Sequence, residues 1–347
     1  MLRFLTAGES HGRALMAILE GMPAGLKVNK EEIDFELFRR QSGYGRGARM
    51  GIEKDRAQII SGLHKGLTIA SPIGILIENK DSSIDSQPPV YNPRPAHADL
   101  PGALKYGFSD CRDVLERASA RETAVRVAIG ALCKIFLKEF NVRITSKTLS
   151  VGGASGKEAI IKAVDEAIRK KDTLGGIFEV TIEGVPAGLG SYVQGDRRLN
   201  ARLACGIMSI PAIKGVEFGL GFGYAAKSGA KVNDAIYFSK DKGYFRKSNN
   251  AGGIEGGMSN GSPIIIRCCM KPIATLGKPL ASVDMNTKKP VVGSVQRADI
   301  AAVEAAGVVA EAVCAFQIAD SFLEKFGGDA VKDIKQAFSA YLKRINR

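Results

Sequence analysis

One seven-residue segment occurs twice, with a single difference, in this chain of 347 residues. Residues 20–26 read Glu-Gly-Met-Pro-Ala-Gly-Leu, and residues 183–189 read Glu-Gly-Val-Pro-Ala-Gly-Leu. Each copy follows an apolar stretch typical of a β-strand and precedes a capped helix, the first beginning at Asn29 and the second near Asp196. The repeat predicts two structurally related halves, roughly residues 1–150 and 151–347, which share one core within a single domain.

Hydrophobic periodicity predicts alternating strands and helices along the chain. The predicted strands cover residues 2–7, 57–63, 67–78, 142–151, 177–185, 214–223 and 263–269. Besides the helix after Asn29, helices are predicted at 112–140, at 300–326, at roughly 330–345, and up to Lys170 after a capping box at Ser155 and Glu158.

Two glycine-rich segments resemble nucleotide-binding loops, but neither has the full pattern that such a loop requires. The G-x-G-x-x-A pattern at residues 43–48 follows a helix rather than a strand, so the chain has no Rossmann fingerprint. Residues 152–157 are one residue short of a phosphate loop, and Glu158 occupies the position of the magnesium-binding Ser or Thr. Neither segment predicts a dinucleotide-binding domain.

The composition favours small anionic partners. Lys and Arg number 49 against 36 Asp and Glu, which gives a net charge of +13, and such an excess attracts nucleic acid or phosphorylated and carboxylated small molecules. Nucleic-acid grooves usually add stacking aromatic residues. Trp is absent here and aromatic residues make up only 7%, so we expect no nucleic-acid partner.

The same composition indicates a cytoplasmic protein without a membrane span. No uninterrupted apolar run approaches the length of about 18 residues that a span requires, and Arg3 and Glu9 come too early for a signal peptide. The six cysteines include no C-x-x-C pair, which predicts free thiols and no metal site.

The chain holds three histidines, which are the natural proton carriers near neutral pH. His11 lies between glycines in Gly8-Glu9-Ser10-His11-Gly12, where the backbone can approach a ligand, although such a histidine can also cap a backbone or face solvent. His97 lies on the proline-rich segment 79–102 with Arg94 and Asp99, and a segment of this length without periodicity indicates an active-site loop. His64 is expected in a simple turn.

Arginines cluster beside glycine and serine in two places. Arg40 lies at the end of the first helix, and Arg46 and Arg49 lie in the glycine-rich loop that follows it. Arg121 follows Ser119 near the expected start of the longest helix. Guanidinium groups bind phosphate and carboxylate in a bidentate manner, so these residues are candidate anion ligands, the alternative being a solvated basic turn. Asp299 is expected to cap the helix over residues 300–326.

Taken together, these segments resemble the chorismate synthase family over nearly the whole chain. The resemblance rests on an ordered set of motifs: Gly8 to Gly12, Tyr44 to Met50, His97-Ala98-Asp99, Arg117 to Ala124, Gly252 to Gly261, Lys271-Pro272, and Arg297-x-Asp299. It implies an α+β sandwich of antiparallel sheets and helices, assembled as a homotetramer. It also implies a lyase that removes phosphate and a ring proton from 5-enolpyruvylshikimate-3-phosphate by 1,4-anti elimination, giving chorismate with reduced FMN but without net redox change.

The resemblance also assigns roles to individual residues. His11 is expected to protonate the leaving phosphate, His97 to lie at the N1 side of the flavin, and Asp299 with Ser10 to support proton transfer at flavin N5. The implied substrate ligands are Arg40, Arg46, Arg49 and Arg121, of which Arg40 and Arg46 are also implied NADP contacts. The implied flavin contacts are Arg117, Ala118, Ser119, Pro211, Ala212, Gly256, Lys271, Pro272, Ile273, Ala274, Thr275 and Arg297.

Two positions depart from the family pattern. Ala96 replaces the usual glycine before the loop histidine, and Ile273-Ala274-Thr275 replaces a run richer in hydroxyl groups. The second departure concerns individual flavin phosphate contacts. The absence of a dinucleotide fold favours an external flavin reductant, with NADPH as the other possibility. A binding protein without catalysis and an oxidoreductase that consumes NADPH are the alternative functions, and turnover measurements separate them.

Overall fold

Two four-stranded antiparallel sheets enclose a layer of helices in the computed structural model, which describes residues 1–47, 54–241, 243–296 and 299–345. The helices are α1 (Lys30–Gln41), α2 (Asp99–Tyr106), α3 (Arg112–Arg117), α4 (Thr123–Lys138), α5 (Lys157–Lys170), α6 (Leu199–Met208), α7 (Gly229–Val232), α8 (Val303–Phe326) and α9 (Val331–Ile345). The strands are β1 (Arg3–Ala7), β2 (Ala14–Glu20), β3 (Gln58–Ile59), β4 (Leu63–His64), β5 (Leu67–Thr68), β6 (Ile73–Glu78), β7 (Arg143–Val151), β8 (Gly176–Glu183), β9 (Ile213–Phe218), β10 (Ile236–Ser239), β11 (Gly243–Arg246), β12 (Ile254–Glu255), β13 (Met258–Ser259), β14 (Ile264–Met270), β15 (Ala281–Val283) and β16 (Pro290–Val292).

The two large sheets have the same connectivity. The first has the strand order β1-β2-β6-β3 and the second the order β7-β8-β14-β9, so each pairs its first, second, fourth and third strands in turn. Helix α4 packs on the first sheet, α8 packs on the second, and the two helices pack against each other. One continuous hydrophobic core includes residues of both sheets and both helices. This arrangement is the predicted α+β sandwich of antiparallel sheets and helices.

The two copies of the repeated heptapeptide make equivalent contacts. In the first, the Thr68 hydroxyl donates to the Pro23 carbonyl at 2.5 Å and accepts from the Leu26 amide at 2.9 Å. In the second, Ser259 donates to the Pro186 carbonyl at 2.6 Å and accepts from the Leu189 amide at 2.8 Å. Both hydroxyls are buried and fully bonded, so each fixes its loop against a short hairpin.

The alternation of burial explains why the strands form where they do. In β8, Phe178, Val180 and Ile182 point into the core, while the residues between them face outward. By contrast, α4 and α8 are apolar nearly all round because they lie between the two sheets. Helix α8 is also long and apolar enough to cross a membrane, but 89% of its apolar window is buried inside the fold, as in a core helix.

Several predicted elements differ from the structure. Where strands 57–63 and 67–78 are predicted, the structure has the four shorter strands β3 to β6. Lys65 and Gly66 both have positive φ and form the two-residue turn of hairpin β4–β5. His64 lies in this hairpin and is exposed, as expected for a turn histidine. The capping box at Ser155 is absent, since Gly156 precedes α5 and no side chain bonds to the helix start.

The predicted helix 112–140 is interrupted. Helix α3 ends at Arg117, a 3-10 turn covers Ala120–Glu122, and α4 then runs from Thr123. Ser119 is extended, and its hydroxyl accepts from the Arg121 amide at 3.3 Å. A serine that bonds locally to the backbone competes with helical hydrogen bonds and so ends the first helix.

Candidate active site

The Gly8–Gly12 turn joins β1 to β2, and the Asn79 side chain bonds to two of its carbonyl groups. The φ of Gly8 is +105°, and a Cβ there would lie 2.3 Å from the Ala14 carbonyl oxygen, so this position requires glycine. The Asn79 side-chain amide donates to the Glu9 carbonyl at 3.1 Å and to the Gly12 carbonyl at 2.7 Å. The conformation of the turn that carries His11 is therefore fixed by both ends.

His11 is bound to a buried carboxylate on α3. Its Nδ1 lies 2.9 Å from Oε1 and 3.0 Å from Oε2 of Glu116, and its backbone amide donates to Oε2 at 2.8 Å. Burial alone would raise the pKa of Glu116, but the hydrogen bonds from His11, with a smaller one from Arg112, outweigh it and hold that pKa below its usual value. The Ser10 side chain is buried, and its amide donates to the Glu116 carbonyl at 3.0 Å.

Arg40 and Arg121 lie on either side of one buried carboxylate. Arg121 Nη1 donates to both oxygens of Asp55, at 2.6 and 2.7 Å, and Arg40 Nη2 lies 3.4 Å from Oδ2. Arg121 Nε also donates to Oδ1 of Asn79 at 2.9 Å. Asn79 therefore connects the turn of His11 to the arginines that the sequence predicts as anion ligands.

Arg40 is buried in an environment rich in positive charge. Arg40 lies in the last turn of α1, a helix that Asn29 caps by accepting from the Glu31 amide at 3.1 Å. Arg40 is only 4% exposed, and burial, reinforced by the charges of Arg121 and Arg46, lowers its pKa to about 10 against the opposing effect of Asp55. Its Nε is buried and has no hydrogen-bond partner among the described residues. A bound anion would satisfy this donor.

Asp299 joins the same group from the segment before α8. Its carboxylate accepts from the Gly47 amide at 2.6 Å and pairs with Arg46 Nε at 3.1 Å, and Arg46 Nη1 donates to the Arg40 carbonyl at 2.9 Å. The prediction that Asp299 caps the helix is wrong, because α8 begins at Val303 with Ala302 as its cap. The main chain of Ile300 instead bonds to the Gly45 carbonyl at 2.8 Å, which holds Asp299 against the arginine loop.

His97 belongs to a second cluster on the proline-rich loop. Its Nδ1 lies 2.5 Å from Oδ1 of Asp99, the first residue of α2, and Arg94 binds both oxygens of that carboxylate at 2.8 and 3.0 Å. Burial opposes ionisation, but the hydrogen bonds from His97 and Arg94 hold the pKa of Asp99 far below its usual range. Ala96 has a φ of +63°, a conformation that favours glycine, which gives a physical reason for the family's glycine at this position.

The structure brings most of the predicted flavin contacts to this second cluster. The Lys271 amide donates to the Ala212 carbonyl at 2.9 Å, and its ammonium group donates to the Ala96 carbonyl at 3.0 Å. Thr275 accepts from Arg94 at 2.8 Å, and Thr173 donates to the Ile273 carbonyl at 2.7 Å. Ala212, Lys271 and Thr275 therefore lie near the loop of His97. His97 itself lines a groove of about 470 Å³ formed by the 93–104 and 282–288 segments.

Lys271 lacks a counter-ion within the described part of the chain. Burial and the nearby charge of Lys214 lower its pKa, and no carboxylate pairs with it among the described residues. An anion bound here would offset the repulsion between the two ammonium groups. This position is thus suited to a phosphate group.

The remaining predicted contacts have other surroundings. Arg117 donates to the Gly8 carbonyl at 2.8 Å and to the Thr6 carbonyl and hydroxyl at 3.1 and 2.9 Å, so its guanidinium group secures the end of β1. Gly256 lies at the tip of hairpin β12–β13, which contacts the 184–190 loop and α6 rather than Lys271. Ala118 follows α3 directly. Arg49 and Arg297 lie outside the described residues.

Three residues of the site were not predicted from the sequence, namely Asp55, Asn79 and Glu116. Each contacts a partner that is distant in the chain: 66 residues separate Asp55 from Arg121, and 105 separate Glu116 from His11. The i, i+4 spacing of Arg112 and Glu116 is only weak evidence that Glu116 belongs to a site, because such a pair on a helix commonly forms a surface ion pair.

The arrangement combines a proton carrier with buried cations. His11, Arg121 and Arg40 are connected through Asn79 and Asp55, and Arg46 and Asp299 extend the same network. Fixed cations stabilise charge on a departing anion, and a nearby histidine can protonate that anion. Among the described residues no group of His, Cys, Asp or Glu is placed to hold a metal ion.

Comparison with known proteins identifies the family. The model of the family described as chorismate synthase matches residues 2–323. The chorismate synthase of Thermoanaerobacter pseudethanolicus is 54% identical over 344 residues, covering 98% of both chains, and that of Aquifex aeolicus is 48% identical over 390 residues, covering 99% of this chain and 98% of its own. A crystal structure of chorismate synthase matches with a TM-score of 0.82 and 42% identity, covering 99% of this chain and 98% of the other. The chain therefore belongs to the chorismate synthase family.

Proposed function

We propose that the chain catalyses the 1,4-anti elimination of phosphate from 5-enolpyruvylshikimate-3-phosphate to give chorismate, the last common step towards the aromatic amino acids. The observation that carries this proposal is the single network that connects the turn of His11, through Asn79 and Asp55, to the buried Arg121 and Arg40 and onward to Arg46. A substrate with one phosphate and two carboxylates needs several cations in one pocket. It also needs a proton donor at the leaving phosphate.

The arginines are proposed to bind the anionic groups of the substrate. Arg40 carries a buried Nε that has no partner among the described residues, so anion binding would add a hydrogen bond without first breaking one. Arg121 is held by Asp55 and Asn79 and is thereby oriented before substrate arrives. Arg49 is proposed as a further ligand from the same loop. Preorganised cations of this kind stabilise the charge that develops on the phosphate as the C–O bond breaks.

His11 is proposed to protonate the departing phosphate through Nε2. The Asp81 carboxylate lies 3.9 Å from this nitrogen. Ser10 and Asp299 are proposed to move the proton lost from the substrate ring. One oxygen of Asp299 accepts from the Gly47 amide and the other pairs with Arg46, which holds the carboxylate in place.

Reduced FMN is the proposed cofactor, and the second cluster is suited to hold it. Lys271 would bind its phosphate, the backbone of residues 211–212 and 271–275 would form the cradle, and His97 would donate to the ring from the adjoining groove. Arg117 to Ser119, Gly256 and Arg297 are proposed as further contacts. When bound, the reduced flavin supplies an electron transiently, and the reaction consumes no net reductant. Arg94 and Asp99 fix the orientation of His97.

Further parts of the proposal concern assembly and supply of the reductant. We propose a cytoplasmic homotetramer whose chains each contain two related halves, a division that the matching strand orders and loop contacts support. An external reductant is proposed for the flavin. The alternative, NADPH bound at Arg40 and Arg46, predicts turnover with NADPH as the only reductant.

Anaerobic turnover tests the function directly. Purified protein with FMN and dithionite should release phosphate from 5-enolpyruvylshikimate-3-phosphate and form chorismate. The same assay with NADPH alone separates the two reductants. Stoichiometric consumption of reductant under strictly anaerobic conditions would contradict a lyase and favour an oxidoreductase.

Replacement of His11 tests the proposed proton donor. His11→Ala should reduce kcat by roughly 10²–10⁴-fold, as expected for the loss of a general acid. His64→Ala is the matched control, because His64 is exposed in hairpin β4–β5 and should leave kcat unchanged. Equal activity of the two variants would refute the assignment of His11.

A further inference from the structure

Glu116 receives both hydrogen-bond donors of a single residue. The His11 backbone amide donates to Oε2 at 2.8 Å, while Nδ1 of the same histidine lies 2.9 Å from Oε1 and 3.0 Å from Oε2. A further bond between the Ser10 amide and the Glu116 carbonyl, at 3.0 Å, attaches the turn to α3 at a second point. Main chain and ring are thus held by one side chain, which leaves the imidazole little freedom to rotate.

The carboxylate of Glu116 is buried and ionised. It is 1% exposed, and on its other side Arg112 Nη1 lies 3.3 Å from Oε1. Arg112 is itself held by the Pro88 carbonyl, to which its Nε donates at 2.9 Å. An ionised carboxylate only accepts hydrogen bonds. Nδ1 of His11 must therefore carry the proton in this contact, and Nε2 is directed to the opposite side of the ring.

We propose that Glu116 is the positioning residue of His11, which fixes the Nδ1–H tautomer and stabilises the imidazolium form. This inference rests on the proposed function, in which His11 is the acid for the leaving phosphate. Among the described residues, the charged groups that face the pair are Arg112 on α3 and Asp81 on the loop after β6, whose Oδ2 lies 3.9 Å from Nε2. The two carboxylates on opposite sides of the ring both favour the charged imidazolium.

The proton balance of the step follows from this geometry. Nε2 takes a proton from solvent before the reaction, while Nδ1 keeps its own proton on the hydrogen bond to Glu116. As the C–O bond of the substrate breaks, with its electron pair going to the phosphate oxygen, the Nε2 proton is transferred to that phosphate. The neutral Nδ1–H imidazole remains, and Glu116 is unprotonated throughout. Loss of the negative charge on Glu116 should therefore lower the fraction of His11 that carries the Nε2 proton, without abolishing substrate binding.

The first experiment compares the pH dependence of kcat for three variants with that of the wild type. Glu116→Gln removes the charge and replaces one accepting oxygen with an NH2 group that only donates, so kcat should fall on the order of 10²-fold. The loss of kcat at alkaline pH should also move to lower pH by about one unit, because the imidazolium has lost a stabilising charge. Glu116→Asp keeps the charge and should keep the wild-type pH of that loss. Glu122→Gln is the matched control, since Glu122 is a buried glutamate that pairs with Arg126 and does not contact His11.

A double-mutant cycle distinguishes positioning from general structural support. If Glu116 acts through His11, Glu116→Gln should reduce kcat no further in a His11→Ala background. Additive losses in the double mutant, or a Gln variant with the wild-type pH profile, would overturn the inference while the proposed function stands. A wild-type protein without turnover, or a fully active His11→Ala variant, would instead refute the proposed function.

The tautomer can be measured in the wild-type protein, even if Glu116→Gln does not fold. With three histidines in the chain, ¹⁵N-labelled histidine gives few imidazole resonances, and those missing from His11→Ala belong to His11. At a pH where the ring is neutral, the inference predicts a proton on Nδ1 and none on Nε2. An Nε2–H tautomer would overturn it.

Discussion

Helices α4 and α8 approach each other so closely at Gly130 that no larger residue fits between them. A Cβ at this position would lie 2.3 Å from both the Cα and the Cβ of Ala312 and 2.6 Å from its carbonyl oxygen. Non-bonded carbons prefer separations of about 3.5–4.0 Å. Since Ala312 has no rotamer to change, Gly130→Ala should force the helices apart by more than about 1 Å.

The net cost of this substitution is the difference between two effects. Alanine gains about 1 kcal/mol over glycine from helix propensity. Overpacking a core costs about 1–3 kcal/mol, and we take about 3 kcal/mol because the clash involves backbone atoms between two helices that are both enclosed by sheets. The free energy of unfolding should thus fall by about 2 kcal/mol. With an unfolding entropy of about 2.1 cal/mol/K per residue, this corresponds to a Tm about 3 °C lower for 347 residues.

Thermal and urea unfolding, followed by circular dichroism at equal protein concentration, measure this difference. Gly229→Ala is the control, because Gly229 is also helical and its added Cβ would meet only Asn233 Nδ2, at 3.5 Å. The control should raise the free energy of unfolding by up to about 1 kcal/mol, because it gains helix propensity without a packing cost. A Gly130→Ala protein as stable as the wild type, or more stable through its better helix propensity, would refute the packing argument.

Two further predictions concern buried carboxylates. Asp55→Asn leaves two buried arginines without the charge that lies between them, so the free energy of unfolding should drop by about 3 kcal/mol and KM for the substrate should rise; unchanged urea midpoints and kinetics would contradict this. Asp99 has a pKa below that of the unfolded chain, so its stabilising contribution is present above pH about 4 and is lost as the pH falls. Urea unfolding between pH 7 and 3 should accordingly show a constant stability difference between wild type and Asp99→Asn down to pH about 4 and a smaller difference at pH 3, without convergence, because the folded-state pKa lies far below the usual range. A difference that does not shrink below pH about 4 would exclude this linkage.

Local sequence patterns predicted the elements that depend on neighbouring residues. Asn29 was expected to cap α1 and does so, although it accepts from Glu31 rather than forming the full box with Glu32. The alternating stretches 142–151 and 177–185 are the strands β7 and β8 within two residues at each end. These features need only contacts a few residues apart, and a single sequence contains them.

Interruptions of a pattern were harder to predict. The apolar periodicity through residues 112–140 continues across Ser119, yet the chain turns there so that α3 can place Glu116 beside the His11 turn. A helix continuing through this point would gain local hydrogen bonds but would lose those contacts. Asp299 likewise has the character of a helix cap, whereas the arginine loop competes for its carboxylate and binds it.

The sequence by itself determined the family, the order of strands and helices, and most of the residue types that the chemistry requires, including both candidate histidines and the arginines around Arg40. Only the tertiary structure decided which of these side chains meet. Glu116 on His11 and Asp55 between the arginines are contacts between segments far apart in the chain. Such pairs leave no local periodicity, because they form only when the packing of two sheets on α4 and α8 brings their segments together. Because these pairs are buried, each charge requires a partner, since removing an unpaired charge from water is costly.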